Sequence, residues 1–241
     1  MRNSFSIALR ELRSYFATPM SYIVAASFLL VSGFFFAQNL IEVQLANMRG
    51  FFGPASFMLL LLSPALAMRL LAEEQKLGTI ELLLTSPIRD YEVVLGKFLA
   101  SLAMVVVMIL LTWYYFLLLV WVGDPDFGPV FSGYLGLTLL SGALLSVGLL
   151  SSSLTSNQIV AFAVSLGALL ILTVVGGAGS FLGSATWATP LRAVLNYLGL
   201  FSHFSDMVRG VIDTRDVVYY ISFIAVALFL TVRSLEARRW R

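Results

Sequence analysis

The sequence predicts an all-α membrane protein with six transmembrane helices. The first observation is composition: 59% of the 241 residues are hydrophobic and only 12% are charged, whereas soluble domains carry roughly 25% charged residues. The second observation is that polar or charged segments separate six apolar runs, each close to the roughly 20 residues that a helix needs to cross a bilayer. No polar stretch between these runs is long enough to form a separate soluble domain.

The predicted elements follow the chain in order. An amphipathic helix at 2–17 is expected to lie in the membrane interface, since Phe5, Leu9, Leu12 and Phe16 share one face. A signal peptide is the alternative interpretation of this segment, but no Ala-x-Ala cleavage site follows it. The spans are predicted at about 20–40, 51–71, 94–121, 132–153, 158–182 and 217–233. An external loop that contains short helices is predicted at 183–215.

Two of these boundaries rest on particular residues. No charged residue occurs between Phe127 and Leu191, which is too long a run for one span, and the polar stretch 151–158 divides it into two. In the third span, Trp113, Tyr114, Tyr115 and Trp121 are expected to be interfacial aromatic residues at the far side of the membrane. Asp90 is placed to cap the helix that begins this span.

The lysine and arginine residues predict the orientation of the chain. If the N-terminus is inside, eleven of the 15 basic residues lie at the cytoplasmic side and four lie outside. Because cytoplasmic segments carry the excess of Lys and Arg, both termini and the segment 73–97 are expected in the cytoplasm, with the protein in the plasma membrane.

The segment 73–97 holds a dense cluster of charge between the second and third apolar runs. Leu77, Ile80 and Leu84 fall on one helical face, and Pro87 ends the helix because it lacks a backbone donor. The residues therefore predict a short amphipathic helix between two spans, with an apolar face available to a partner.

The same segment carries a motif. It reads Glu73-Glu74-x-x-x-Gly78-Thr79-x-Glu81-Leu82-Leu83-Leu84-Thr85-Ser86-Pro87, followed by Glu92-x-x-x-Gly96-Lys97. This pattern resembles the first cytoplasmic loop of type-2 ABC transporter permeases. The resemblance implies a coupling helix at 73–86 that docks in a groove of an ATPase subunit, through Glu73, Glu74, Leu77, Gly78, Thr79, Ile80, Glu81, Leu84 and Pro87. An amphipathic surface helix without a partner is the alternative.

Two further stretches extend the resemblance over the whole chain. The N-terminal run Arg10-Glu11-Leu12-Arg13-Ser14-Tyr15-Phe16 and the run from Phe201 to Tyr220 before the last span are similar to gliding-motility-type members of the type-2 permeases. That subfamily name implies little about the substrate.

The resemblance implies a permease subunit that moves substrate by alternating access and is not itself an enzyme. ATP and magnesium would bind to a separate ATPase subunit, and this chain would need no cofactor. It would assemble with a second copy or a related permease. Small residues in the fifth span, Ser165, Gly176, Gly179 and Gly183, are candidates for that interface, although packing within one chain would use the same residues.

Two alternative functions remain open from the sequence. In the first, ATP-driven motion passes to a periplasmic partner and no solute is transported. In the second, the chain is a membrane scaffold without an ATPase. A neighbouring ATPase gene would exclude the scaffold, and ATP hydrolysis stimulated by a solute would favour transport.

Several other chemistries lack a basis in the sequence. A Gly-x-x-x-x-Gly-Lys-Ser/Thr motif is absent, and the glycine-rich run 176–179 lies within an apolar span without a lysine. A metal at His203, the single histidine, would need carboxylates such as Asp206 and Asp213, and a hydrogen-bonded loop histidine is the simpler expectation. No carboxylate pair lies within a span, which argues against ion antiport because antiporters usually place ionisable groups at the bilayer midplane. The net charge of +2 does not indicate nucleic acid.

Overall fold

The computed structural model describes residues 2–43, 47–78, 89–123, 125–179 and 189–239. All regular secondary structure in these ranges is helical, which confirms the all-α class. The helices are α1 (Arg2–Ala17), α2 (Pro19–Val43), α3 (Arg49–Leu77), α4 (Asp90–Leu111), α5 (Trp113–Val122), α6 (Phe127–Leu154), α7 (Gln158–Ala178), α8 (Thr189–Leu198), α9 (Leu200–Val208) and α10 (Thr214–Arg239).

Six helical segments within the described residues are long and apolar enough to cross a membrane, and they confirm the protein as a multi-pass membrane protein. They are α2, α3, α4 together with α5, α6, α7 and α10. Several helices extend past the apolar runs. Helix α6 begins at Phe127 rather than at 132, and α10 covers Thr214–Arg239 rather than 217–233.

Helix α6 lies at the centre of the fold. Of the residues in its apolar stretch, 78% are buried, compared with 28% in α2, 17% in α7 and 22% in α10. Glycines allow this close packing: a Cβ atom at Gly133 would overlap the ring of Phe52, and one at Gly148 would press against Ala67, both on α3. The exposed apolar faces of α2, α7 and α10 suit contact with lipid or with another membrane chain.

The third span differs from the expectation of one continuous helix at 94–121. It divides at Thr112 into α4 and α5, and the Tyr134 hydroxyl on α6 donates to the Thr112 carbonyl at 3.1 Å. The predicted interfacial aromatic residues also separate into two groups. Trp121 is 86% exposed, whereas Tyr115 is buried and donates to the Leu29 carbonyl on α2 at 2.9 Å.

The far side of the bundle, opposite the end of α3, is covered by α8 and α9. These are the short helices expected between 183 and 215, and residues 183–188 lie outside the described residues. Helix α9 is fixed to α6 because Ser132 donates to the Met207 carbonyl at 2.7 Å. The ring of Phe204 also meets Phe52 edge to face, with 6.5 Å between centroids.

Candidate functional site

A polar cluster lies where α1 and α4 meet the last turns of α3. We call it the α3-end cluster, and it comprises Glu11, Arg69, Glu73, Glu74 and Lys97. These side chains come from three helices, α1, α3 and α4. The segment 79–88, which contains most of the sequence-predicted site, connects two of these helices, α3 and α4.

Lys97 is the centre of this cluster. The residue is 1% exposed, and its Nζ atom lies 3.0 Å from Glu11 Oε1 and 2.7 Å from Glu74 Oε1. An unpaired ammonium group at such a site would cost several kcal/mol, so the two carboxylates are what allow Lys97 to be buried. The bridge therefore holds α1, α3 and α4 together.

Helix α1 lies directly against α4 at Gly96, the residue before Lys97. A Cβ atom at Gly96 would be 2.8 Å from Ile7 Cβ and 2.9 Å from the Ser4 carbonyl oxygen. Only a residue without a side chain permits this approach. The glycine of the Glu92-x-x-x-Gly96-Lys97 motif thus brings α1 close enough for Glu11 to reach Lys97.

The beginning of α4 corrects one sequence-based expectation. Arg89 occupies the N-cap position, and Asp90 is the first helical residue rather than the cap. The carboxylate of Glu92 accepts from the Arg89 backbone N–H at 3.3 Å and from Asn3 Nδ2 of α1 at 3.2 Å. Glu92 therefore satisfies a free donor at the helix start and adds a second attachment for α1.

The end of α3 is also attached to the central helix α6. The Ser152 hydroxyl accepts from the backbone N–H groups of Leu71 and Ala72, at 3.1 and 3.0 Å, and donates to the Met68 carbonyl at 2.9 Å. One turn further on, Gln75 Nε2 donates to the Ser153 carbonyl at 3.0 Å. In the sequence these serines predict only a polar break between spans, and their polarity within an otherwise apolar run is the signal of this structural role.

A cavity of about 250 Å³ opens beside the α3-end cluster. Its lining includes Tyr15, Thr18 and Leu77 in addition to the members of the cluster. Tyr15 donates to the Leu66 carbonyl at 2.9 Å, and burial raises the pKa of its hydroxyl above the usual range, so that the group stays protonated as a donor. The lining of this cavity is therefore mainly polar, with the apolar side chain of Leu77 at one side.

The structure describes four of the nine predicted coupling residues. Glu73, Glu74 and Leu77 form the last turn of α3, and Gly78 ends the helix with a φ of +70°. The coupling helix was expected to begin at 73, but α3 continues without a break to Leu77. Glu74, one of the predicted coupling residues, pairs with Lys97 inside the chain. Thr79, Ile80, Glu81, Leu84 and Pro87 lie outside the described residues.

The candidate interface residues of the fifth span make contacts within the chain. Ser165 is fully buried next to Gly148 of α6. A Cβ atom at Gly176 would overlap Gly199, and one at Gly179 would overlap Asn196 of α8. Packing inside one chain therefore accounts for these three small residues. Gly183 lies outside the described residues.

His203 lies on α9, at the opposite end of the bundle from the α3-end cluster. Its Nδ1 atom lies 2.6 Å from Asp216 Oδ1 on α10, and its Nε2 atom lies 2.9 Å from the Tyr197 carbonyl oxygen on α8. The ring stacks on Tyr219 with 4.0 Å between centroids. The expectation of a hydrogen-bonded histidine is confirmed, in a helix rather than in a loop, and this residue joins α8, α9 and α10.

One comparison with known proteins identifies a family. A family model described as ABC-2 family transporter protein matches residues 8–237, nearly the whole chain. A comparison with curated proteins finds no significant match.

Proposed function

The chain belongs to the ABC-2 transporter family, and from this premise we propose that it moves a substrate across the membrane by alternating access. Proteins of this family are membrane subunits of ABC transporters, normally without catalytic activity, and their partner is an ABC ATPase. ATP and magnesium would bind to that partner, and this chain would convert the partner's motion into a rearrangement of its spans.

The observation that carries the proposal is the pairing of buried Lys97 with Glu74 and Glu11. The segment 79–88 connects α3 to α4, the two helices that the Lys97–Glu74 pair holds together. A displacement of this segment would therefore move α3, α4 and α1 as one unit. Through Ser152 and Gln75 the same displacement would reach α6, which packs against most of the bundle.

The exposed end of α3 supports docking of a partner. Leu77 is 67% exposed in the last turn of α3. Helix α3 ends at Gly78, and in the segment that follows, Ile80 and Leu84 are four residues apart, on one face of the predicted coupling helix. Each of these side chains would contribute about 1.5–3 kcal/mol on full burial in a groove of the ATPase. The basic excess of the predicted inner side supports a cytoplasmic position for this surface and for both termini.

The oligomeric state follows from the same family assignment. We propose that two permease chains assemble, either two copies of this chain or this chain and a related one. The exposed apolar faces of α2, α7 and α10 support a membrane-embedded interface. Because Ser165, Gly176 and Gly179 are already packed within the chain, the outward-facing residues of α7 are better candidates for such an interface than these small residues.

The test uses two variants of the predicted coupling helix. Leu84→Asp places a charge on its apolar face and is expected to abolish co-purification with the ATPase or to uncouple ATP hydrolysis from solute. Glu81→Ala is the control variant, since an exposed charge pair contributes only about 0–1 kcal/mol. If Leu84→Asp retained full co-purification and stimulated hydrolysis, docking through this helix would be disproved.

A second candidate function is the transfer of ATP-driven motion to a periplasmic partner without transport. It is favoured by the attachments at the far end of the bundle, where Ser132 joins α9 to α6 and His203 joins α9 to α8 and α10. These contacts would carry a movement of α6 to the outer surface. If ATP hydrolysis by the complex responded to the periplasmic partner but to no solute, this function would be favoured over transport.

A further inference from the structure

A second cavity, of about 560 Å³, lies between α3, α7 and α9 at the end of α3 opposite to the α3-end cluster. This volume is within the range of roughly 300–1,000 Å³ that is typical of sites for small organic ligands. Most of its wall is apolar, and the apolar side chains that line it are Phe57, Leu60, Leu170, Phe201, Phe204 and Val208.

The wall offers little hydrogen bonding to a ligand. Ser56 donates to the Gly53 carbonyl at 2.7 Å, Thr173 donates to the Leu169 carbonyl at 2.8 Å, and Ser205 donates to the Ser202 carbonyl at 2.7 Å. All three hydroxyl groups are thus engaged as donors within their own helices. A polar ligand portion that lies against this wall would lose its hydrogen bonds without replacement, which costs free energy, so that portion must itself be apolar.

Two arginines give the cavity a charged edge. Arg49 at the start of α3 and Arg209 after α9 both line it. Arg49 has no carboxylate within ion-pair distance among the side chains that the structure describes, and Arg209 lies 3.7 Å from Asp206 in a pair that is mostly exposed to solvent. Each guanidinium group carries five N–H donors in a planar fork, which matches a carboxylate or a phosphate.

We propose that this cavity binds one anionic amphiphile. Its hydrocarbon chain lies between α3 and α7, and its carboxylate or phosphate group lies between the guanidinium groups of Arg49 and Arg209. The apolar wall and the basic edge together favour a molecule that has both a hydrocarbon chain and an anionic group. This inference concerns binding alone and does not depend on the ATPase partner.

Gly53 provides a direct way to fill the cavity. It lines the cavity, and a Cβ atom built there meets nothing within 4 Å. Gly53→Leu therefore places a side chain in the space of the ligand without displacing the protein. Gly167 on α7 also has open space at its Cβ atom and does not line the cavity, so Gly167→Leu is a matched control.

Separate variants test how much the two arginine charges contribute to ligand binding. Arg49→Gln and Arg209→Gln each remove one guanidinium group at an exposed position while keeping a polar side chain. Arg13→Gln on α1 is the matched control, because Arg13 is also exposed but lies far from the cavity in the chain.

The experiment measures binding of 1-oleoyl-lysophosphatidylglycerol to the delipidated full chain in nonionic detergent by native mass spectrometry. Lysophosphatidylcholine tests the need for net negative charge, and glycerol phosphate tests the need for the hydrocarbon chain. We expect saturable binding of one lysophosphatidylglycerol, at least tenfold tighter than binding of lysophosphatidylcholine, and no binding of glycerol phosphate. Each arginine variant should weaken binding by about tenfold, as loss of one charge-assisted hydrogen bond does.

Gly53→Leu should abolish this binding, whereas Gly167→Leu and Arg13→Gln should bind as the unchanged chain does. Three results would overturn the proposal: equal affinity for lysophosphatidylcholine, unchanged binding in both arginine variants, or unchanged binding in Gly53→Leu. Binding of glycerol phosphate with similar affinity would show a site for free anions instead. If Gly53→Leu does not fold, the two arginine variants still decide the outcome.

Discussion

The ammonium group of Lys97 lies 2.7 Å from a carboxylate oxygen of Glu74, and the lysine is 1% exposed to solvent. The two residues are 23 positions apart, on either side of the segment that resembles a coupling helix. Their contact closes this part of the chain into a loop whose ends cannot move independently. Three of the predictions below follow from this contact and from its neighbours.

The first prediction concerns Lys97. Lys97→Met keeps an apolar chain of similar length but removes the buried cation that Glu11 and Glu74 share. Removing one partner of a buried ion pair costs about 3–5 kcal/mol, so we expect a marked decrease in the thermal unfolding temperature in detergent.

The triple variant Lys97→Met, Glu11→Gln, Glu74→Gln removes the carboxylate charges as well and should recover much of the lost stability. If it is no more stable than Lys97→Met alone, then charge pairing is not what Lys97 contributes.

The second prediction concerns Ser152. Ser152→Ala removes the hydroxyl that bonds to three backbone groups of α3. These backbone groups keep their partners within α3, so the cost is that of the lost bonds between helices, about 0.5–1.5 kcal/mol each, and the attachment of α3 to α6 should loosen. We expect lower thermal stability together with weaker stimulation of the ATPase by solute.

Ser151→Ala is the matched control, because among the described residues the Ser151 hydroxyl bonds only to the Val147 carbonyl of its own helix, at 2.9 Å. Equal effects of the two substitutions would show that the contact between α3 and α6 has no special role.

The third prediction concerns Gly96. Gly96→Val introduces a branched side chain against Ile7 and the Ser4 carbonyl, and α1 must move away from α4. Amide hydrogen exchange of residues 2–17 should become faster, since the helix loses its packing. Gly167→Val places the same side chain in open space and should leave exchange in α1 unchanged. Unchanged exchange in Gly96→Val would contradict the close packing of α1.

The fourth prediction concerns topology. The chain contains no cysteine, so single cysteines can be introduced without a background. Ser184→Cys should react with an impermeant maleimide on intact cells, and Ser86→Cys should be protected until the membrane is opened. The reverse pattern would show that the basic residues do not orient this protein as the positive-inside rule predicts.

The helical class and the six spans could be predicted from sequence because they depend on local properties. Transfer of a segment into hydrocarbon is favourable or unfavourable according to its own residues, and the charge-free runs carry that information directly. The family could be identified for a similar reason, since the motif from Glu73 to Lys97 is continuous in the chain.

The contacts that form the candidate site were decided by the tertiary structure. Lys97 pairs with Glu11 across 86 residues, and Ser152 bonds to Leu71 across 81. The break at Thr112 and the burial of Tyr115 likewise depend on Tyr134 and Leu29 of other helices. The sequence determined which segments enter the membrane, because solvation acts on each segment separately. Only the packing of the helices decided which polar groups meet, because a buried charge or hydroxyl requires a partner that distant parts of the chain supply.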